Sequence, residues 1–170
     1  MNRIMITGAN GSGKTTLLRA LFADVALAEG TQHVGRSVKV STLRQQRRLF
    51  AEAHSLLRGF TDAVGCDDPT ARSQLAKLGL DTQQIERPVA DLSPGEQTRA
   101  ALGLFAARGS NVLVLDEPTN HLDLPAIEQL EAALASFPHT VLLVTHDRRL
   151  LENVTSNRHW HLDDGVLTER

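Results

Sequence analysis

The stretch on which the fold turns is Ile4-Met5-Ile6-Thr7-Gly8-Ala9-Asn10-Gly11-Ser12-Gly13-Lys14-Thr15-Thr16. Ile4-Met5-Ile6 is a short apolar run closed by Thr7-Gly8, which reads as a buried strand entering a turn. Gly8 to Thr15 then fits the Gly-x-x-x-x-Gly-Lys-Thr pattern of a phosphate-binding loop. Beyond it Leu17, Leu18, Leu21, Phe22 and Val25 recur with helical spacing. The chemistry requires that placement. Glycines let successive backbone N–H groups turn inward around phosphate oxygens, and the helix start adds the positive end of its dipole. Gly8, Ala9, Asn10, Gly11, Ser12, Gly13, Lys14, Thr15 and Thr16 are therefore expected to hold phosphates. Lys14 supplies a cation for the terminal phosphates, and the Thr15 hydroxyl can ligate Mg²⁺.

Working outward, Val112-Leu113-Val114-Leu115 and Val141-Leu142-Leu143-Val144 are continuous apolar runs, as strands covered on both faces should be. Between them Asp123 can cap a helix carrying Ile127, Leu130 and Leu134 on one side. Strands alternating with helices argue for a parallel sheet with right-handed crossovers. From about Leu49 to Leu80 the pattern is helical, with Leu56, Leu57, Leu75 and Leu78 and breaks at Gly65 and Pro69. The expected organisation is one domain over residues 1–170. Residues 1–48 and 110–170 form its α/β core, and about 49–109 form an inserted helical subdomain. Trp160-His161-Leu162, then Asp163-Asp164-Gly165, then Val166-Leu167-Thr168 reads as a hairpin with an Asp-Gly turn.

Composition narrows the function classes. The 170 residues are 41% hydrophobic and 22% charged, which is ordinary for a soluble globular domain. The net charge of −2 announces no nucleic-acid binder. No run approaches the ~18 apolar residues of a membrane span, so no direct membrane insertion is expected. Cys66, the single cysteine, has no internal partner. It reads as an inert thiol in a reducing compartment, and the expected location is the cytoplasm.

Asp116-Glu117 follow the strand that ends at Leu115. A carboxylate at that edge faces the phosphate loop in nucleotide-binding sheets. There Asp116 can hold Mg²⁺ through its water shell, and Glu117 can polarise an attacking water. Ser93-Pro94-Gly95-Glu96 combines an N-cap serine, a proline at the first helical position and a glutamate at the third, which is a capping box.

Taken together and in order, the motifs resemble those of the ABC (ATP-binding cassette) ATPases. After the phosphate loop, Gln45 in Val40-Ser41-Thr42-Leu43-Arg44-Gln45 resembles the Q-loop, with Gln46 as an adjacent alternative. Leu92-Ser93-Pro94-Gly95-Glu96-Gln97 is similar to the signature, Asn120-His121-Leu122-Asp123 to the D-loop, and Val144-Thr145-His146-Asp147 to the switch-histidine segment. The resemblance implies an α/β P-loop NTPase with a mostly parallel central sheet and an inserted helical signature subdomain. It implies ATP and Mg²⁺ as ligands, with Thr15, Gln45 and Asp116 organising the metal. Glu117, His146 and Gln45 are implied as the catalytic groups. Ser93, Gly95 and Glu96 would face a nucleotide held by a second ABC domain, whether a homodimer mate or a tandem partner. His121 would contact that opposite subunit. The remaining histidines, His33, His54, His139, His159 and His161, are expected in surface or packing roles.

Asn120-His121 after Glu117-Pro118-Thr119 looks like the ABC-F branch, whose members are soluble tandem ATPases acting on ribosomes, some conferring antibiotic resistance. The span from Gln45 to Leu92 has no room for the long arm hairpin of a first ABC-F domain, so the chain looks like a second one. Two departures stand out. Pro94 replaces the usual signature glycine, a variation some ABC-F second domains share. The family's N-terminal antiparallel β-subdomain, with its adenine-stacking aromatic, is expected to be missing, because the sequence opens on the phosphate-loop strand. About 1 kcal/mol of base stacking goes with it. Arg36, Lys39, Arg44, Arg47 and Arg48 form a basic stretch that suits a solvated face or ribosomal RNA phosphates. The alternatives are the ATP-binding subunit of an ABC transporter and a nucleotide-binding module that does not turn over.

Overall fold

The computed structural model describes residues 2–43, 50, 53–120 and 122–170. Its centre is a six-stranded sheet in the order β2-β3-β4-β1-β5-β6. The strands are β1 (Arg3–Thr7), β2 (Val40–Thr42), β3 (Val112–Asp116), β4 (Thr140–Val144), β5 (Arg158–Asp163) and β6 (Val166–Glu169). The first five run parallel, and β6 returns antiparallel to β5. The chain turns there on Asp164 and Gly165, at φ 44 and 77, the positive pair that a two-residue hairpin needs.

The apolar runs are explained by the two faces. Ile4, Ile6, Val114, Leu142 and Val144 pack with Leu18 of α1 (Lys14–Leu21) on one side of the sheet. Met5, Leu113, Leu115, Val141 and Leu143 pack on the other, against Leu130 and Leu134 of α6 (Leu124–Ser136) and Leu150 of α7 (Arg148–Asn153). A strand covered on both faces has no reason to alternate. Helix α1 stops before Val25, although the apolar spacing continues. Ala23 takes φ 61, its N–H bonds to the Ala20 carbonyl, and the Asp24 N–H bonds to the Arg19 carbonyl. That is a Schellman ending, with alanine in the place that glycine usually fills.

A second apolar cluster lies between Phe50 and Leu104. Here α2 (Leu56–Val64), α3 (Asp68–Ala76), the single turn α4 (Thr82–Ile85) and α5 (Pro94–Ala107) enclose Leu56, Phe60, Leu75 and Leu104. Gly65 ends α2 in the left-handed conformation, and Pro69 opens α3 at its first turn. Helix α5 belongs to both cores. Its Ala101, Leu102 and Phe105 face the sheet-side cluster, while Ala100 and Leu104 face the helical one. The helix that begins at Ser93 is therefore clamped on two sides. Among the described residues, no helix is long and apolar enough to cross a membrane.

Candidate nucleotide-binding site

Parallel strands β1, β4 and β3 lie side by side, with Ile6 paired to Val144 and Val144 to Asp116. Their carboxyl ends therefore open on one edge, the place where open α/β sheets hold ligands. The loop after β1 starts at Gly8, pressed so closely on β5 that a Cβ would lie 2.1 Å from the Leu162 carbonyl oxygen. No other residue fits there. Gly13 caps α1 at φ 98 and has no side chain to offer the first helical N–H groups. Lys14 is buried, and its ammonium donates to the Gly8 and Ala9 carbonyls, both at 2.9 Å. The ammonium is thus held inside the curve of the loop.

Opposite stand the acids. The Thr15 hydroxyl donates to Asp116 Oδ2 at 2.7 Å. Glu117 sits at φ 52, in the left-handed region that a side chain rarely adopts. Its N–H bonds to the Val144 carbonyl at 2.9 Å, and its Oε1 lies 2.6 Å from His146 Nε2. The Glu117 side chain is 20% exposed against 46% for His146, so the carboxylate is the more sheltered of the two. Asp147 caps α7 by accepting from the Arg149 and Leu150 N–H groups, which fixes the backbone behind the imidazole. Asn10, Gly11, Gly13, Lys14, Thr15 and Thr16 on one side and Asp116, Glu117 and His146 on the other line one open cavity of about 400 Å³. A second hollow of about 360 Å³, between Phe50, Val89, Leu92 and Gln97, is lined by no charged group among the described residues.

Ser93, Gly95 and Glu96 are not among the residues lining the cavity at the strand ends. They form the start of α5, with Ser93 exposed, Glu96 half-buried and Gly95 buried. The capping box is present: Ser93 Oγ accepts the Glu96 N–H at 3.3 Å, and Glu96 Oε2 accepts the Ser93 N–H at 2.6 Å. Burial pushes the Glu96 carboxyl up. Bonds from the Ser93 N–H and hydroxyl and from Gln84, with the charge of Arg87, outweigh that and hold it below the usual glutamate value. Gly95 is a packing residue as well. An added Cβ would stand 2.9 Å from Ala126 Cβ and 3.2 Å from its Cα, so its bareness lets α5 approach α6.

Gln45, expected as a metal ligand and catalytic group, lies outside the described residues, as do Gln46, Arg44, Arg47, Arg48 and His121. Sequence reasoning missed Gln97. Its buried amide donates to the Val89 carbonyl at 3.1 Å and the Leu92 carbonyl at 2.9 Å, pinning the chain that enters the signature. A signal was there: Gln97 shortly precedes a largely apolar run, Ala100-Ala101-Leu102-Gly103-Leu104-Phe105, in a helix buried on two sides, and a polar residue buried there needs partners.

A family model described as ABC transporter matches residues 1–120. The chain belongs to the ABC family. ATP-binding cassette sub-family F member 3 of Mus musculus is 37% identical to this ABC domain, covering 98% of the domain and 24% of the relative. ATP-binding protein Uup of Caulobacter vibrioides is 35% identical over 92% of the domain and 27% of that protein. The ABC domain thus spans about a quarter of the length of these curated relatives and is most like the sub-family F proteins. Its fold is shared with a dimeric ATP-binding cassette in a post-hydrolysis state bound to ADP and Pi. That match has a TM-score of 0.76 at 23% identity and covers 99% of this chain and 84% of the other. The P-loop NTPase fold with a mostly parallel sheet is the one observed here.

Proposed function

We propose that this ABC domain binds MgATP and hydrolyses it in a site completed by a second ABC domain. The observation that carries the reading is the convergence of Lys14, Thr15, Asp116, Glu117 and His146 on one cavity at the ends of three adjacent strands. The donor set suits magnesium. Thr15 and Asp116 place two hard oxygens 2.7 Å apart, and the described residues hold no cluster of three or more metal-binding side chains. That matches a cation held by one or two side chains together with substrate phosphates and water. Bound there, magnesium would neutralise charge on the phosphates.

The remaining roles belong to this chain's own groups. The loop N–H groups and Lys14 hold phosphate oxygens, and the Lys14 ammonium exchanges its loop carbonyls for them. Glu117 takes a proton from the attacking water, and His146, fixed beside it, steadies the carboxylate and orients the terminal phosphate. Gln45 would complete the metal and water site. Phosphoryl transfer depends mainly on positioning and on charge stabilisation. A domain whose Ser93, Gly95 and Glu96 lie away from its own cavity therefore needs a partner's signature helix. The domain divides, on this reading, into an α/β core of residues 1–48 and 110–170 and a helical subdomain of about 49–109.

The sub-family F relatives favour a cytoplasmic role at the ribosome, in translation or antibiotic resistance, over a transporter subunit. Two experiments test the whole reading. MgATP hydrolysis per chain should rise with chain concentration and vanish in Glu117→Gln. The chain should also co-sediment with ribosomes in an ATP-dependent way, whereas co-purification with a membrane protein would assign it to a transporter.

A further inference from the structure

Gln84 stands where the starts of two helices meet. Its Oε1 accepts the Asp81 N–H at 2.7 Å, and the Asp81 carboxylate accepts the Gln84 N–H at 2.8 Å, which closes the capping box of α4. The other end of the same amide leaves α4. Its Nε2 donates to Glu96 Oε1 at 2.5 Å, while Glu96 Oε2 accepts the Ser93 N–H. Two capping boxes, Asp81–Gln84 and Ser93–Glu96, are therefore joined through one side chain. Bonds to an ionised acceptor are shorter and stronger than neutral ones. With both oxygens engaged, the carboxylate is turned back on the first turn of its own helix. A glutamate released from that hold would carry its negative charge over a helix end whose positive dipole suits phosphate.

We propose that Gln84 is a positioning residue for the composite site. Its donated bond fixes the Glu96 carboxylate on the Ser93 N–H and so sets the helix end that serves the partner's nucleotide. The inference rests on the reading above, in which α5 completes a site on a second domain. Gln84 itself touches no substrate. Its two tasks can be separated chemically, because it caps α4 as an acceptor and holds Glu96 as a donor. Gln84→Glu keeps the acceptor for the Asp81 N–H and removes the donor, leaving two carboxylates face to face.

The test compares wild type, Gln84→Glu, and the reciprocal pair Gln84→Glu with Glu96→Gln, in which the donor and acceptor of the bridge change places. MgATP hydrolysis at saturating nucleotide, MgATP affinity and thermal melting are measured for each. The expected result, measured well below the melting temperature, is about a tenfold loss of turnover in Gln84→Glu, the size of one charge-assisted bond, with MgATP affinity close to wild type and a modest fall in melting temperature from the lost bond to Glu96. The reciprocal pair should regain most of the turnover, whereas a merely structural role would lower turnover in Gln84→Glu only at temperatures where the chain begins to unfold. Unchanged turnover in Gln84→Glu overturns the proposal, as does failure of the pair to recover. If the wild-type chain itself hydrolyses nothing at any concentration, the two-domain reading falls, and this inference falls with it.

Discussion

His146 Nε2 stands 2.6 Å from Glu117 Oε1, joining the ends of neighbouring strands β4 and β3 through their side chains. The pair lines the same cavity as Lys14 and Thr15, and on the proposed reading turnover depends on it. Glu117→Gln should lower MgATP hydrolysis by about 100-fold or more, the usual worth of a positioned base. MgATP binding should survive. His146→Ala should lower turnover too, by leaving the Glu117 carboxylate without its neighbour. Phosphate release and equilibrium nucleotide binding check both variants. Full activity in Glu117→Gln would remove it from the chemistry.

The Thr15 hydroxyl donates to Asp116, and on the proposed reading these two residues would hold magnesium. Thr15→Val and Asp116→Asn should each bind ATP in EDTA about as tightly as wild type. Added Mg²⁺ should then improve wild-type binding and turnover much more than it improves the variants. Nucleotide titrations with and without Mg²⁺ are the measurement. Equal magnesium enhancement in all three proteins would place the metal elsewhere.

Gly95 should be intolerant for a packing reason. In Gly95→Ala the new methyl meets Ala126 at 2.9 Å, with α6 backbone close behind it. Overpacking of this kind costs about 1–3 kcal/mol. A lowered melting temperature is expected, partly restored by Ala126→Gly in the same chain. If Gly95→Ala melts like wild type, the α5–α6 approach is not as tight as described.

The Glu96 carboxyl gives stability a particular pH dependence. Its folded-state pKa lies below the ordinary value, because the bonds from Ser93 and Gln84 and the charge of Arg87 outweigh its burial. A depressed carboxyl stabilises the fold fully above its unfolded pKa, about 4.3, and that contribution is lost as pH falls through the lower folded value. Glu96→Gln imitates the protonated side chain. Its melting temperature should therefore trail wild type at neutral pH, and the gap should close below about pH 4. A gap that persists undiminished to low pH would contradict this origin.

Much of the loop side of the candidate site was legible in the sequence, because its pattern is local. A glycine pattern between a strand and a helix can be read from thirteen consecutive residues, and the capping box at Ser93 and the N-cap at Asp123 are equally local. The early end of α1 was not, since apolar spacing continues to Val25 while the chain turns at Ala23. Other features depend on residues far apart in the chain. Gly8 is required by the Leu162 carbonyl, Gly95 by Ala126, and Glu96 is held by Gln84. Spacing along one segment carries no information about which other segment will be pressed against it. The order of the strands, which brings Asp116, Val144 and Ile6 into line, is of the same kind.

The central claim, that each nucleotide is served by two chains, is tested most directly by mixing two defective ones. Lys14→Ala removes the phosphate-loop cation, and Ser93→Ala removes the signature hydroxyl. Each variant alone should be nearly inactive. In a mixed pair, the Ser93→Ala chain brings an intact phosphate loop and the Lys14→Ala chain an intact signature, so one good site forms per mixed dimer. With random two-fold pairing, the equimolar mixture should recover about a quarter of wild-type hydrolysis per chain. A mixture as inactive as its components would contradict sites shared between chains.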